Sequence, residues 1–264
     1  HKSTAIGYSA LNAQNFTSST DSHNTGVGYN VGVLLTTGVQ NTLIGSQAGD
    51  SLTDGDQNTY IGYNAGGSDD LGNKSVGVGS GALASLNYAG ATDGLNVAVG
   101  LNALGQQTTA VQNTASGNSA GGAVTEGSYN ICIGNSAANH DNPLTTGSGN
   151  IIIGAYADTS AAAGTSQIAL GYNVTCVGNG NFTFGYAAND SNIANGATSI
   201  SAPSDERYKE EIETSTAGLS FIDDLRPVIF KWKKEKEVPS DHKAYVADSD
   251  ERVMGRGEKV QHGF

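Results

Sequence analysis

A tripeptide ending in Gly recurs eleven times between Gly7 and Gly185, each copy followed three residues later by Ala or Val. The anchor glycines are Gly7, Gly28, Gly45, Gly62, Gly79, Gly100, Gly117, Gly134, Gly154, Gly171 and Gly185, at intervals of 21, 17, 17, 17, 21, 17, 17, 20, 17 and 14. A preferred interval of seventeen with small excursions specifies one structural rung of fixed core carrying loops of adjustable length. Self-similarity at so short a period means a solenoid, in which each unit packs only on its neighbours.

Each rung reads column by column. Four residues before the anchor stands Ser3, Asn24, Asn41, Asn58, Ser75, Asn96, Asn113, Asn130, Asn150, Gln167 or Asn181. Position −3 carries Thr4, Thr25, Thr42, Thr59, Val76, Val97, Thr114, Ile131, Ile151, Ile168 and Phe182. Position −1 carries Ile6, Val27, Ile44, Ile61, Val78, Val99, Ser116, Ile133, Ile153, Leu170 and Phe184. Side chains on a strand alternate with period two, so −3 and −1 share one face, and their β-branched and apolar character suits a stacked, pleated surface. The small residue at +3 is expected to turn inward beneath the next rung. The glycine implies a backbone with positive φ or a close approach to its neighbour. The aligned Asn residues are expected to form a ladder of side-chain amides. The pattern predicts short parallel strands, one per rung, in a β-roll or β-helix.

Position −2 lies on the other face: Ala5, Gly26, Leu43, Tyr60, Gly77, Ala98, Ala115, Cys132, Ile152, Ala169 and Thr183. None is charged, whereas a monomeric solenoid wets its outer face. The sequence therefore predicts that the −2 face is buried against another copy of the chain, with closed cyclic symmetry as the usual solution.

Composition divides the chain near Ala202–Pro203. Residues 1–203 hold 33 of the 37 glycines and 13 charged residues, Lys2 and Lys74 against eleven acids; residues 204–264 hold 25 charged residues, eleven basic and fourteen acidic. The domains read as 1–203, a repeat array, and 204–264, a mixed α/β segment. A formal net charge of −12 argues against nucleic acid as partner, because phosphate backbones are bound by Lys and Arg stripes. No segment approaches the roughly 20 apolar residues that span a membrane, and the start has no signal-peptide pattern. The chain opens within a rung and ends without closing a domain, so a fragment of something longer is expected. Cys132 and Cys176 lie rungs apart and are expected as free buried thiols.

The segments Asn41-Thr-Leu-Ile-Gly-Ser-Gln-Ala-Gly49 and Asn58-Thr-Tyr-Ile-Gly-Tyr-Asn-Ala-Gly66 resemble the head repeats of YadA-like trimeric adhesins, which also occur in bacteriophage tail fibres. The resemblance covers about 190 residues and rests on repetition rather than on any one copy. It implies a left-handed parallel β-roll that forms a homotrimer.

Ser204-Asp205-Glu206-Arg207-Tyr208-Lys209-Glu210-Glu211-Ile212 is similar to the Ser-Asp-x-Arg-x-Lys opening of the C-terminal intramolecular chaperone (peptidase S74) of phage tail spikes and endosialidases. Leu219, Ile222 and Leu225 have helical spacing after a Thr214/Ser215 cap, Pro227 ends that helix, and Val228, Phe230 and Trp232 alternate as a strand. His262-Gly263-Phe264 resembles the start of the family's next conserved stretch, so about the first half of the module is present. The resemblance implies a segment that drives trimeric folding of the fibre before it and then cuts itself off. Ser204 would be the nucleophile and Lys209, desolvated and neutral, its general base, with Asp205 and Arg207 holding the turn. The alternative is that Ser204 caps a helix with Asp205 and Glu206 in its first turn, Lys209 being solvated.

Other constellations are weaker. Asp50, Asp54 and Asp56 cluster in one loop and could offer oxygens to Ca²⁺ but match no EF-hand or calcium β-roll pattern and read as a solvated acidic turn. His23 and His140 sit in separate long loops and read as solvent-facing. Gly77-Val78-Gly79 belongs to a rung, not a dinucleotide loop, and no carboxylate pair suggests glycoside hydrolysis. No cofactor or metal is expected. Receptor contact is expected in the three lengthened loops, 11–23, 83–95 and 138–149, with Phe16, Tyr88 and His140 as candidates. The sequence thus reads as a homotrimeric viral tail fibre or spike, located in the virion, whose partners are itself, a host-surface glycan or outer-membrane protein, and other tail or baseplate proteins. Alternatives are a bacterial surface adhesin built from the same modules, and a polysaccharide-degrading spike whose catalytic domain lies elsewhere.

Overall fold

The computed structural model describes residues 2–16, 19–194, 196–197, 228–230, 233–238, 240, 245–250 and 261–263. The chain divides into two compact units, His1–Ser204 and Asp205–Phe264. The first unit has a strand at each anchor glycine and three others, β5, β7 and β14: β1 (Thr4–Ile6), β2 (Thr25–Val27), β3 (Thr42–Ile44), β4 (Thr59–Ile61), β5 (Gly72–Asn73), β6 (Val76–Val78), β7 (Thr92–Asp93), β8 (Val97–Val99), β9 (Thr114–Ser116), β10 (Ile131–Ile133), β11 (Ile151–Ile153), β12 (Ile168–Tyr172), β13 (Asn181–Tyr186) and β14 (Asn189–Ala194). Twelve of them make one sheet in the order β1-β2-β3-β4-β6-β8-β9-β10-β11-β12-β13-β14. Pairing is parallel and in phase with the repeat, as in Thr25↔Thr42, Gly26↔Leu43 and Val27↔Ile44. The protein is a parallel β-solenoid of about eleven turns, as the spacing predicted.

The anchor glycines answer to backbone geometry. Gly62 has φ +138°, and a Cβ there would stand 2.5 Å from the carbonyl oxygen of Gly79; Gly28 repeats the relation with Gly45 at 2.4 Å. No L side chain fits where one backbone passes so close above the next. Two further corners take the left-handed conformation, in several rungs with a polar residue instead of glycine, at −5 (Gln40, Gln57, Gln112) and at +2 (Asn30, Asn64, Asn102), with φ between 51° and 60°. Polar residues tolerate that region best.

The Asn column is a ladder, with backbone as its main partner. The Asn41 side-chain oxygen accepts the Asn58 N–H at 2.9 Å, and the Asn113 oxygen accepts that of Asn130 at 2.8 Å. Each amide also donates across its own rung, Asn41 to Gly55 O at 2.7 Å and Asn113 to Gly127 O at 2.8 Å. Two successive pairs, Asn24–Asn41 and Asn130–Asn150, add direct amide–amide bonds. Buried amides are thereby satisfied inside the coil, which is what makes them tolerable there.

The −2 column corrects the sequence reading. Leu43, Tyr60, Ala98, Ala115, Ile152, Ala169 and Thr183 are fully buried within this single chain. The −2 face is the solenoid's own core, not a contact between copies. Its mixture of sizes has a local cause, compensation with position +4. Beside Gly26 lies Leu11, and beside Leu43 lies Gly32, where a Cβ would be 2.7 Å from Leu43 Cδ1. Gly66 leaves room for the Tyr60 ring, and small Gly77 is filled by Leu83. Leu35, Leu52, Leu86 and Val124, all at +7, and the +3 residues from Val31 to Val174 complete the core. Cys132 and Cys176 are free and buried, and burial pushes both thiols up to about 12.

The last repeat departs from the rest. After β13 the chain reverses at Ala187, and β14 runs back antiparallel, pairing Tyr186↔Asn189 and Asn181↔Ala194. Ala188 at +3 is therefore exposed in the turn instead of buried under a further rung. The 20- and 21-residue intervals are accommodated as loops, and one of them carries β7, paired in parallel with β5. In the second unit, β15 (Val228–Phe230) pairs antiparallel with β16 (Gln261–Gly263), Val228 opposite Gly263. The strand read from Val228 and Phe230 is present; Trp232 and the helix expected over 214–225 lie outside the described residues.

Candidate functional site

With −2 turned inward, −3 and −1 turn outward. Ile6, Ile44, Val97, Val99, Ile131, Ile133 and Leu170 are all exposed, Ile6 to 60% and Leu170 to 47%. Position +1 continues the same side with exposed Tyr8, Tyr29, Tyr63, Leu101, Tyr172 and Tyr186. Tyr8 stacks on Tyr29 at 5.6 Å and Tyr172 on Tyr186 at 5.2 Å. At about 4.8 Å per strand, eleven rungs make a strip about 50 Å long. The −5 column that borders it is mostly polar, with Gln57 donating to Gln40 at 3.0 Å. An apolar centre with polar margins is the anatomy of a protein–protein interface, and an exposed apolar surface of this extent, broken at Thr114 and Ser116 of β9, marks an interaction site.

The three long loops differ in kind. Loop 83–95 is folded into the body: Leu83 and Leu86 are fully buried and Tyr88 is 3% exposed. The Tyr88 hydroxyl donates to Ala110 O at 2.8 Å and accepts from Asn96 at 3.0 Å. Tyr88 is thus a core residue and is withdrawn as a surface contact. Loop 11–23 is tethered by Lys2–Asp21 at 2.7 Å and a Ser3–Ser22 hydroxyl bond, and its Phe16 is half-buried. His23 is exposed.

Loop 138–149 is held from beneath by one carboxylate. Asp158, 1% exposed, accepts the successive backbone N–H groups of His140 (3.1 Å), Asp141 (2.6 Å) and Asn142 (3.2 Å). Converging donors stabilise a buried carboxylate that has lost its water. His140 remains exposed, its ring 4.8 Å from that of Tyr156, which meets Tyr172 edge-on at 5.8 Å. An open groove of about 290 Å³ crosses four rungs, lined by Ala84, Gly105 and Gly122 together with Asn102, Gln106, Ser119 and Asn139. Its lining is neutral and rich in hydrogen-bonding groups.

The sequence reading missed a polar pair inside the core. Tyr60 at −2 donates to Asp69 at 2.5 Å, and Asp69 also accepts the Gly72 N–H at 2.9 Å. Asp69 occupies the +7 column that is Leu35, Leu52 and Leu86 in other rungs. Burial is the main cause that pushes the Asp69 carboxyl up to about 6, against the lowering effect of the Tyr60 hydrogen bond. Two columns broken by polar residues in the same rung were the available signal.

The acids read as a loop cluster are engaged separately. Asp54 accepts from Thr36 (2.8 Å) and Thr37 (2.6 Å), whose hydroxyls hold its carboxyl below the usual range, and Asp56 accepts the Val39 N–H. Burial raises Asp50. Among the described residues no group of three or more His, Cys, Asp or Glu is placed to hold a metal, and no helix is long and apolar enough to cross a membrane. Ser204, Asp205, Arg207 and Lys209 lie outside the described residues.

Comparison with known proteins adds one finding on this segment. Residues 204–253 match the model of the Peptidase_S74 family, described as chaperone of endosialidase. No curated protein and no solved structure matches the chain.

Proposed function

We propose that the protein is a homotrimeric tail-fibre or tail-spike component that attaches to a host-cell surface, its repeats forming the fibre and the segment from Ser204 serving its assembly. The endosialidase-chaperone match at 204–253 and the parallel β-solenoid fit a protein of that kind. The observation that carries the trimer is the outward strip of −3, −1 and +1 side chains, largely apolar and running the length of the sheet with a polar break at β9. A strip about 50 Å by 10 Å offers on the order of 500 Å² per chain, so a trimer brings together about 1,500 Å² in all, about 500 Å² at each of its three pairwise contacts. The face toward the partner copies is therefore −3/−1, and −2 belongs to each chain's core.

Attachment is assigned to the surfaces that stay outside such a trimer. His140 and its neighbours are presented on a loop pinned by Asp158, Phe16 sits on loop 11–23, and the groove beside Asn102 and Asn139 is lined with neutral amides. Lys2 and Lys74, the array's two cations, are each paired with an aspartate, so its surface suits hydroxyl-rich glycan or protein receptors better than polyanions. Ser204 and Lys209 are proposed as the self-cleavage pair.

Sedimentation in native buffer tests the assembly, with an expected mass of three 26.8 kDa chains. Ile133→Asp puts a charge on the outward strip and should yield a folded single chain, whereas Ile152→Asp charges the core and should unfold it. A wild-type protein that sediments as one chain, or an Ile133→Asp protein that still trimerises, defeats the proposal.

A further inference from the structure

The outward strip is not uniform along the coil. Its −3 column is Thr4, Thr25, Thr42 and Thr59 in the first four rungs but Ile131, Ile151, Ile168 and Phe182 in the last four. The −1 column over those last rungs is Ile, Ile, Leu and Phe, so every outward strand position there is apolar. Between the two blocks β6 and β8 carry valine at both outward positions (Val76, Val78, Val97 and Val99), and β9 presents Thr114 and Ser116, both exposed, which interrupts the apolar surface for one rung before the last four.

This grading is not demanded by the fold of the single chain. All these residues pair in the same parallel register, and the inward columns show no such trend: Leu43 and Tyr60 fill the core near the start as Ile152 does near the end. Thr and Ile have similar strand preference. They differ in the gain on leaving water, which scales with apolar area and is lost when a buried hydroxyl goes unpaired.

We infer that association between copies of this chain is concentrated in the last four rungs, β10 to β13, which clamp the assembly, while the threonine-faced rungs at the start form a looser, separable end. The inference rests on the trimer reading and locates where that trimer is held. The clamp lies at the end of the repeats that adjoins, in sequence, the chaperone-like segment beginning at Ser204. A chain order in which the tight contacts come beside the assembly segment lets pairing begin there and propagate backwards. Rung stacks propagate in this way because each unit is stabilised by its neighbour. The polar β9 rung marks where the clamp stops.

Hydrogen exchange on the assembled full-length protein reads this directly. Amides of β10 to β13 should exchange at least about tenfold more slowly than those of β1 to β4, since local opening follows local stability. Equal protection at both ends, or a slower N-terminal end, overturns the inference even in a confirmed trimer. A pair of variants adds a second readout by sedimentation over a dilution series. Ile131→Thr/Ile151→Thr/Ile168→Thr should dissociate at a concentration at least about tenfold higher than wild type, and Thr25→Ile/Thr42→Ile/Thr59→Ile at a lower one. Unchanged dissociation in both also overturns it, with circular dichroism verifying that each chain remains folded. A wild-type protein that is a single chain at every concentration would instead reject the trimer itself.

Discussion

The Tyr60 hydroxyl donates a 2.5 Å hydrogen bond to the Asp69 carboxylate in the interior of the solenoid, where both side chains are fully buried. A carboxylate at a leucine position makes stability depend on acidity. Asp69 is raised from 3.8 to about 6 in the fold, so the folded chain binds this proton more tightly than the unfolded chain. The contribution is complete below about pH 4 and is lost as pH rises through about 6. Two units correspond to about 3 kcal/mol. Thermal unfolding followed from pH 4 to 7 should show that loss, and Asp69→Asn should flatten it; an unaltered slope in the variant would refute the assignment.

Gly62→Ala and Gly90→Ala separate conformational necessity from mere small size. Gly62 has φ +138° with a backbone oxygen in the place of the Cβ, while a Cβ on Gly90 meets nothing within 4 Å. The first substitution should cost several kcal/mol and the second less than about 0.5. Denaturant midpoints decide, and comparable losses at both sites would remove the argument that rung spacing requires the anchor glycines.

Asp158→Ala removes the acceptor of three backbone N–H groups beneath loop 138–149. Exchange of the His140, Asp141 and Asn142 amides should accelerate by about a hundredfold or more, since each loses a charge-assisted bond. If the loop carries receptor contact, adsorption to host cells falls while the assembly stays intact. Unchanged adsorption with a mobilised loop assigns attachment to another surface.

In a chain that carries the complete chaperone module, Ser204 and Lys209 should act in one cleavage. The Ser204 oxygen attacks the Pro203 carbonyl carbon, Lys209 takes the hydroxyl proton and returns it to the departing amine, and water hydrolyses the resulting ester. Two bands on a denaturing gel and a new N-terminus at Ser204 are expected. Ser204→Ala and Lys209→Ala should each leave one band, and a wild type that never cleaves would reject the pairing.

Strand positions, the anchor glycines, the Asn ladder and the inward +3 residues were legible because repetition fixes their phase. Which face of the strand points inward was not. Both −2 and the −3/−1 pair lack charge, so alternation alone gives the period without the sign. The sign lay in the loops: Leu35, Leu52 and Leu86 needed partners within the same chain, and −2 was their neighbour. Compensation such as Gly26 with Leu11 and Leu43 with Gly32 disguised a packed core as a column of mixed sizes. Tyr88 was misplaced for a related reason. Length alone marked its loop as surface, while its buried hydroxyl bonds to Ala110 and Asn96 depend on a neighbouring rung. The reversal into β14 lies beyond the last anchor glycine, where the repeat no longer supplies a phase; the 14-residue interval before it is an ordinary short rung, with β12 and β13 parallel.

That reversal has a genetic consequence. An antiparallel partner gives the last parallel strand a different kind of neighbour from every other, so the stack has a fixed terminus on that side. Whole seventeen-residue units can then be gained or lost upstream by unequal recombination, each restoring the same ladder bonds above and below. Every such event would change the reach of the coil by about 4.8 Å while leaving its final turns untouched.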